Sequence, residues 1–589
     1  MSESTLLSGN EAVALGAHLA GVRLATGYPG TPSTEILEAL ARGNYEHTLV
    51  QWSTNEKVAL EVGIGASLAG QRALVTMKHV GLNVAADPLM TLAYAGVQAG
   101  LVIVTADDPG MHSSQNEQDN RNYARFAKIP ILEPSDSQEA CDMVRVAFEI
   151  SEEFDTPVLL RTTTRISHSK TVVTADESAR APQASEFLRD PKKTVMIPAY
   201  ARGRRVAVEE RTADLIALAE ASVGDAPNLN RVEIRDTEVG IITGGVAYQY
   251  VREALPEASI FKLGISYPLP TDAIRAFARR VQKLYVVEEL DPFWETELRA
   301  QGVVIEETNL PRIGELSPDI IRQGLGGHDG DSVPAAEVPI RPPVLCPGCP
   351  HRGVFYTLKR LGYLVTGDIG CYSLGVLPPL EAMDTLICMG ASIGMALGVE
   401  KALGAEAPPT VAVIGDSTFL HSGMTGLSDV FFNGGHVTTI ILDNYTTAMT
   451  GHQGNPTAGY DVYLAEAPRL DFEALVRGLG VRDVTRITPY DMDRLEEVLE
   501  KTGSTEEPSV IIVEGHCVLL PTADGGIPVR VSDECTGCGA CLRLGCPAIR
   551  RSGPGKRAQV EIVRSMCTGC GLCVQVCPFS AMEFEGNDT

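Results

Sequence analysis

Cationic excess is the first thing this 589-residue sequence lacks: 49 Lys and Arg stand against 75 Asp and Glu, a net charge of −26. Binding to nucleic acid needs a basic face to neutralise phosphates, so this balance excludes that class. Long hydrophobic runs are missing too. The apolar stretches, such as Leu101–Thr105, are short and broken by Gly, Asp or Pro, and none reaches the roughly 18 residues of a membrane span. Met1 to Asn10 carry Glu3 and neither a basic region nor an apolar stretch, so no signal peptide is expected. These absences predict a soluble cytoplasmic protein with no membrane association. Cysteine is sparse, 14 in all, yet eight fall in the last 55 residues. Such crowding in an intracellular chain points to metal binding rather than to a disulfide framework. The length, with 44% hydrophobic and 21% charged residues, predicts about three to five globular domains of roughly 100–200 residues each.

The tail reads Cys535-x2-Cys538-x2-Cys541-x4-Cys546-Pro547 and then Cys567-x2-Cys570-x2-Cys573-x3-Cys577-Pro578. Three cysteines at every third position, on turns rich in Gly537, Gly539, Gly569 and Gly571, can wrap three iron corners of one cube. The fourth, followed by proline, lies too far along to close the same loop, and in two-cluster ferredoxins it ligates the other cluster. The spacing therefore assigns Cys535, Cys538, Cys541 and Cys577 to one 4Fe–4S cluster, and Cys567, Cys570, Cys573 and Cys546 to a second. One extra residue in the first motif, Gly545, predicts a small bulge. Zinc ribbons pair CxxC with CxxC and lack the third and fourth repeats. From Arg530 to Thr589 seven Lys/Arg face six Asp/Glu. The group Arg550, Arg551, Lys556 and Arg557 between the motifs is a candidate docking surface for an acidic ferredoxin.

Further upstream, the apolar run Thr410–Ile414 leads into Gly415-Asp416-Ser417, and Val437–Leu442 leads into Asp443-Asn444-Tyr445. Asp416 and Asn444 are 28 residues apart, one strand–helix–strand crossover, which puts both at the carboxyl ends of parallel strands, where open α/β sheets bind ligands. The pair resembles the thiamine-diphosphate fingerprint, Gly-Asp-Gly followed by Asn-Asn. That fingerprint implies Mg²⁺ held by Asp416, Asn444 and the Thr446 carbonyl, in a compact oxygen shell shared with diphosphate. Ser417 stands for the second Gly and Asp443 for the first Asn. On spacing alone, Asp and Asn in turns at generic strand ends are the weightier reading.

The blocks Cys346-Pro-Gly-Cys-Pro-His351, Gly367-Asp-Ile-Gly-Cys371, Met389-Gly-Ala-Ser392 and Thr447-Ala-Met-Thr-Gly-His-Gln453 resemble the indolepyruvate ferredoxin oxidoreductase family, within the 2-oxoacid:ferredoxin oxidoreductases. The resemblance spans nearly the whole chain apart from about 166–235. It implies an α/β protein with two thiamine-diphosphate-binding parallel-sheet domains, a transketolase C-terminal-like domain and a ferredoxin-like tail. The expected segments are a pyrimidine-binding domain (1–165), a connection (166–235) with a helix near 211–222, the transketolase-like domain (236–323), a linker (324–343), the diphosphate domain (344–522) and the two-cluster domain (526–589). Gly415, Ser417, Gly390, Ser392 and His452 are implied to line the cofactor.

In the amino-terminal part, Gly27-Tyr-Pro-Gly-Thr31-Pro-Ser-Thr34 is a turn into a helix, and Asn55-Glu56 leads into the small-residue helix Gly63–Ser67. The family's pyrimidine-contacting glutamate maps to Glu56, with Glu61 as the rival. Glu56 would act by acid–base work on the cofactor ring. The polar run Ala106–Arg121 resembles the family's active-site loop. Thr31 and Arg121 are candidates for the substrate carboxylate, since a guanidinium fork matches a carboxylate, and His79 and His452 are further lining residues. Cys141 and Cys388 read as buried thiols. Cys346, Cys349, Cys371 and Cys517 match the proximal cluster of the pyruvate enzymes of the superfamily and imply a possible third 4Fe–4S site.

The activity implied is thiamine-dependent oxidative decarboxylation of an arylpyruvate with coenzyme A, giving aryl-acetyl-CoA, CO₂ and reduced ferredoxin, by an oxygen-sensitive enzyme. A smaller beta subunit, in a heterodimer or a dimer of heterodimers, is implied as partner, besides ferredoxin. The alternatives are a sibling enzyme for another 2-oxoacid and a non-catalytic iron–sulfur electron-transfer subunit; thiamine content separates the second from catalysis.

Overall fold

The computed structural model describes residues 3–43, 45, 47–175, 187, 189–224, 229–326, 339, 342–521, 525–555 and 558–586. Most of the expected linker 324–343 lies outside them, as do Lys556 and Arg557. The chain divides into two compact units, residues 1–336 and 337–589, so the boundary falls inside the expected linker.

The first unit is built on a seven-stranded sheet. Its order is Ile265–Tyr267, Ile131–Leu132, Val158–Thr163, Leu101–Asp107, Ala73–Lys78, Leu24–Gly27, Leu49–Trp52. Every pairing is parallel except that of Ile265–Tyr267 with Ile131–Leu132. Leu101–Asp107 is buried at all seven positions, as a strand covered on both faces by helices must be. The transketolase-like order appears as Asp236–Gly244, helix Gly245–Ala254, Ala258–Leu263, helix Thr271–Ala278 and Lys283–Val287. Those three strands pair in parallel and form one side of a five-stranded sheet, with Lys283–Val287 at its edge.

The connection 166–235 carries more structure than expected. Its helix runs over Pro198–Ala221, 24 residues rather than the dozen expected. Its first half has Arg202, Gly203, Arg204 and Arg205 and no apolar stripe, which hides it from periodicity. Cations fasten it instead. Arg204 donates to the Tyr94 carbonyl and pairs with Asp155, Arg211 donates to the Ala93 and Asp155 carbonyls, and Lys193 reaches Val97 and Asp155. These groups satisfy carbonyls at the carboxyl end of the helix Ala86–Ala95, where positive charge is favoured.

The second unit has a five-stranded, wholly parallel sheet in the order Leu364–Thr366, Thr410–Gly415, Thr438–Asp443, Ser509–Glu514, Asp483–Ile487. Its tail forms two short antiparallel pairs, Val529–Val531 with Met582–Phe584 and Ile549–Arg551 with Val560–Ile562. Met492, Tyr356 and Tyr490 of the sheet domain pack into the tail's core with Leu544, Leu572 and Met582.

Candidate active site

Thr410–Gly415 and Thr438–Asp443 are neighbours in register, so Asp416 and Asn444 leave the sheet side by side at its carboxyl edge. Asp416, Ser417, Asp443, Asn444 and Thr446 are all buried. Asp416 Oδ1 accepts from the Ser417 amide at 2.7 Å, while Oδ2 accepts from Asn455 Nδ2 at 3.2 Å and Thr457 Oγ1 at 3.4 Å. Asp443 Oδ1 accepts from the Tyr445 amide and also from Thr457. Burial raises both carboxyls, and the charge of Asp416 raises Asp443 further. Two desolvated carboxyls next to the Asn444 amide make a hard oxygen donor set whose repulsion a small dication relieves. Directly after Asp416 the chain takes a π-helical turn, Phe419–Gly423, a rare device that reshapes helix starts at functional sites.

Gly390 and Ser392 are fixed in place by Asp368. Its buried carboxyl, pushed up to about 6 by desolvation, accepts from the Gly390 amide at 2.9 Å and the Ser392 amide at 3.1 Å. Gly390 has φ +87°, and a Cβ there would lie 2.5 Å from the Ser422 Cβ, so no other residue fits the approach. His452 lies on the other side, its Nε2 3.6 Å from Cys517 Sγ.

In the first unit Glu56 opens the helix Glu56–Leu68, capped by the Asn55 side chain on the Val58 amide. The Glu56 side chain is buried against Gly81, where a Cβ would meet its Oε1 at 2.7 Å. Glu61 points to the exposed side and pairs with Lys57. Thr31 is half-buried and its carbonyl accepts from Ser113 Oγ at 3.2 Å. His79 is buried with Nε2 near the Asn116 carbonyl and side chain, and burial lowers it.

Arg121 is a correction. It is 1% exposed, and its fork is committed to Asp119, Glu288 and the Glu289 and Asp291 carbonyls, with Trp294 beneath it. A guanidinium buried between the Asp119 and Glu288 carboxylates already has its charge and its fork engaged, so it is not a free receptor for a substrate carboxylate. It belongs to a buried ion network with Arg161, Asp107 and Glu133 that joins the strand ends of the two sheets.

The tail cysteines ring two cavities. One is lined by Cys546, Cys567, Cys570 and Cys573, the other by Cys535, Cys538, Cys541 and Cys577. Each fourth cysteine therefore stands with the other motif's triplet, the crossed grouping expected from spacing. Gly545 takes φ +65° just before Cys546, where the extra residue was expected to bulge. Among the described residues no three His, Cys, Asp or Glu side chains gather as ligands of a single metal ion; the two rings of four enclose space instead. The first cavity is also lined by Pro347 and Gly348 of the CPGCPH turn and by Arg352 just after it. Cys349 is pushed up to about 12 by burial with Cys346 and Cys371 adding, and Cys371 to about 11 with Cys517 and Cys346 adding. The thiols of the candidate proximal site are thus near enough that ionising one hinders ionising its neighbours. Cys141 is a buried thiol as expected, but Cys388 is exposed, because the segment leading to Gly390 runs along the surface.

Three family models match the chain: the C-terminal TPP-binding domain of thiamine pyrophosphate enzymes over 368–513, the thiamine-diphosphate-binding domain of pyruvate flavodoxin/ferredoxin oxidoreductases over 15–213, and a 4Fe-4S dicluster domain over 527–578. The indolepyruvate oxidoreductase subunit IorA of Methanothermobacter marburgensis is 41% identical, with 98% of this chain and 97% of that protein covered. The IorA subunit of Archaeoglobus fulgidus is 39% identical, covering 99% and 97%. This chain belongs to the IorA family.

As a family member the chain unites thiamine-binding and iron–sulfur parts in one polypeptide, and its own residues add donors that motif reading passed over. Asp368 holds the Gly390 and Ser392 amides and Asn455 and Thr457 hold the Asp416 carboxylate, yet only Asp368 falls inside a recognised block, and no spacing marks the other two. The arginines considered for ferredoxin docking are also partly committed. Arg550 is exposed but pairs with Glu561, and Arg551 folds over the first cysteine loop, its Nη2 2.9 Å from where a Gly539 Cβ would be. Among the described residues no helix is long and apolar enough to cross a membrane.

Proposed function

We propose that this chain is the catalytic subunit of an indolepyruvate:ferredoxin oxidoreductase. It would convert an arylpyruvate and coenzyme A to aryl-acetyl-CoA and CO₂, passing two electrons one at a time to ferredoxin. The observation that carries this reading is the buried Asp416–Asp443 pair at the carboxyl edge of a parallel sheet, in the same unit as three groups of four cysteines. Asp416, Asn444 and Thr446 would hold Mg²⁺, with Gly415, Ser417, Gly390 and Ser392 around the diphosphate. Bound thiamine diphosphate supplies the electron sink for decarboxylation. Glu56 would hold the proton on the aminopyrimidine, a task that suits a carboxyl withdrawn from water, and Thr31 would face the substrate. Cys346, Cys349, Cys371 and Cys517 would bind a third 4Fe–4S cluster. The cavity ringed by Cys546 and the second triplet borders the CPGCPH turn, which makes it the inner of the two tail sites. A smaller beta subunit is the assigned partner, and an anaerobic cytoplasm the setting.

The deciding experiment is an anaerobic screen of 2-oxoacids with coenzyme A, the partner subunit and ferredoxin or a viologen acceptor. Thiamine-dependent reduction with indolepyruvate favoured over pyruvate and 2-oxoglutarate is expected. A preference for a non-aryl 2-oxoacid makes it a sibling enzyme, and protein that binds no thiamine diphosphate makes it an electron-transfer subunit.

A further inference from the structure

Lys78 ends the strand Ala73–Lys78 in the first unit. Its stem lies along Gly30: a Cβ on that residue would be 3.0 Å from Lys78 Cδ and 3.1 Å from Cγ. The ammonium donates a 2.9 Å hydrogen bond to the Ser113 carbonyl. Among the described residues no carboxylate comes within ion-pairing distance of it. Burial lowers Lys78 to about 8, against the opposing pull of Asp108 and Glu56. Asp108 keeps its charge but makes no ion pair with Lys78, because its oxygens are held elsewhere: Oδ2 accepts from the Ser113 amide and Ser114 Oγ, and Oδ1 from Thr164 Oγ1. Asp108 thus pins the loop, and the loop positions the lysine. Ser113 serves twice, its carbonyl taking Lys78 and its hydroxyl giving to the Thr31 carbonyl. One residue therefore locks Lys78 and the half-buried Thr31 onto a single rim, near the buried carboxyl of Glu56.

We infer that Lys78, joined through Ser113 to Thr31, takes the carboxylate of the 2-oxoacid substrate. The inference rests on the function proposed above and replaces Arg121, whose fork is held by Asp119 and Glu288. An ammonium with two N–H groups still available is a compact charge for a carboxylate. Partial withdrawal from water strengthens that attraction, and no resident ion pair has to be broken to make it.

The test uses the full enzyme with its partner subunit, in wild-type, Lys78→Gln and Lys78→Arg forms, each first checked for bound thiamine diphosphate. Lys78→Gln is expected to raise KM for the arylpyruvate about 10- to 100-fold with a much smaller loss in kcat. The wild type should bind an arylacetate more tightly than its uncharged amide as competitive inhibitors. Lys78→Gln should lose that preference, and Lys78→Arg should keep it. A purely structural lysine would not change the inhibitor ratio. Unchanged KM and an intact preference in Lys78→Gln overturn the inference, as does a kcat loss with KM unmoved, which would tie Lys78 to Glu56 instead. If Lys78→Gln does not fold, loss of the preference in Lys78→Arg overturns it equally. A wild type inactive on every arylpyruvate defeats the proposed function itself, a result distinct from all of these.

Discussion

At the scale of the residue, burial decides which of two similar groups can do chemistry. Glu56 and Glu61 sit five positions apart on one helix, but only Glu56 is withdrawn from water, and Glu61 shares its charge with Lys57 at the surface. Glu56→Gln should leave thiamine diphosphate bound and lower kcat about 10²–10⁴-fold, whereas Glu61→Gln should stay close to wild type. Steady-state kinetics on both variants checks this, and the reverse pattern would move the assignment to Glu61. Asp443 carries a second residue-level expectation. It stands where the thiamine fingerprint has Asn, and burial beside Asp416 raises it. Asn keeps the acceptor that Tyr445 and Thr457 use and removes the repulsion. Asp443→Asn should stabilise the metal-free protein by about 1–2 kcal/mol and shrink the rise in Tm on adding Mg²⁺ and thiamine diphosphate. A metal-free variant that melts lower than its parent would show that repulsion is not what Asp443 contributes.

At the scale of elements, two junctions do most of the positioning. The first is the turn Met389–Ser392, drawn onto Asp368 and pressed against the π-helical turn at Ser422. Gly390→Ala must find room for a methyl group at positive φ. It should cost about 1–3 kcal/mol and weaken thiamine diphosphate binding in the same protein. Calorimetric melting together with a cofactor titration checks it; a stability loss with unchanged affinity would detach this turn from the cofactor. The second junction is the buried charge network where Glu288 and Glu289 follow the strand Lys283–Val287. Desolvation pushes Glu289 up to about 7, only partly offset by the Leu316 amide and Arg161. Because its folded pKa exceeds the ordinary 4.5, the folded chain keeps a proton that the unfolded chain has released between about pH 4.5 and 7. Stability from this group is therefore full below pH 4.5 and lost as pH rises through 7, on the order of 2–3 kcal/mol. Glu289→Gln has no proton to lose, so its Tm advantage over the parent should grow from pH 5 to pH 8. A constant difference across that range would refute the assignment.

At the scale of the whole molecule, the second unit gathers twelve cysteines in three groups of four. The group at Cys346, Cys349, Cys371 and Cys517 comes from turns far apart in the chain, and the CPGCPH turn contributes to the wall of the neighbouring tail cavity. Arg352 ties these parts, donating to the Leu345 and Cys346 carbonyls on one side and the Leu544 carbonyl on the other. Iron and sulfide analysis with electron paramagnetic resonance should count three cubanes in the anaerobically purified full chain. It should count two after Cys346→Ser with Cys371→Ser, with the tail signals retained. Equal iron in both proteins would remove the third cluster and leave the turn a purely structural one.

Much of this was legible in the amino-acid order. The crossed grouping of tail cysteines follows from spacing alone, because a loop of three ligands leaves its fourth cysteine beyond the reach of the same cavity. The neighbouring positions of Asp416 and Asn444 follow from one strand–helix–strand crossover, whose handedness and strand pairing are local rules. The rest was decided by packing between segments distant in sequence. Arg121 read as a free fork until Glu288, 167 residues away, took one arm of it. Cys388 read as a buried thiol, and the clamp of Arg204 and Arg211 on the helix Ala86–Ala95 left no periodic trace. Lys78 went unremarked because a lone lysine after a strand carries no signal; only the loop around Ser113, folded back over Gly30 and Thr31, makes it a withdrawn and unpaired charge. Motifs encode which atoms stand close along the chain. Burial and the cancellation of charge are properties of the surroundings, and those exist only once the sheets have closed.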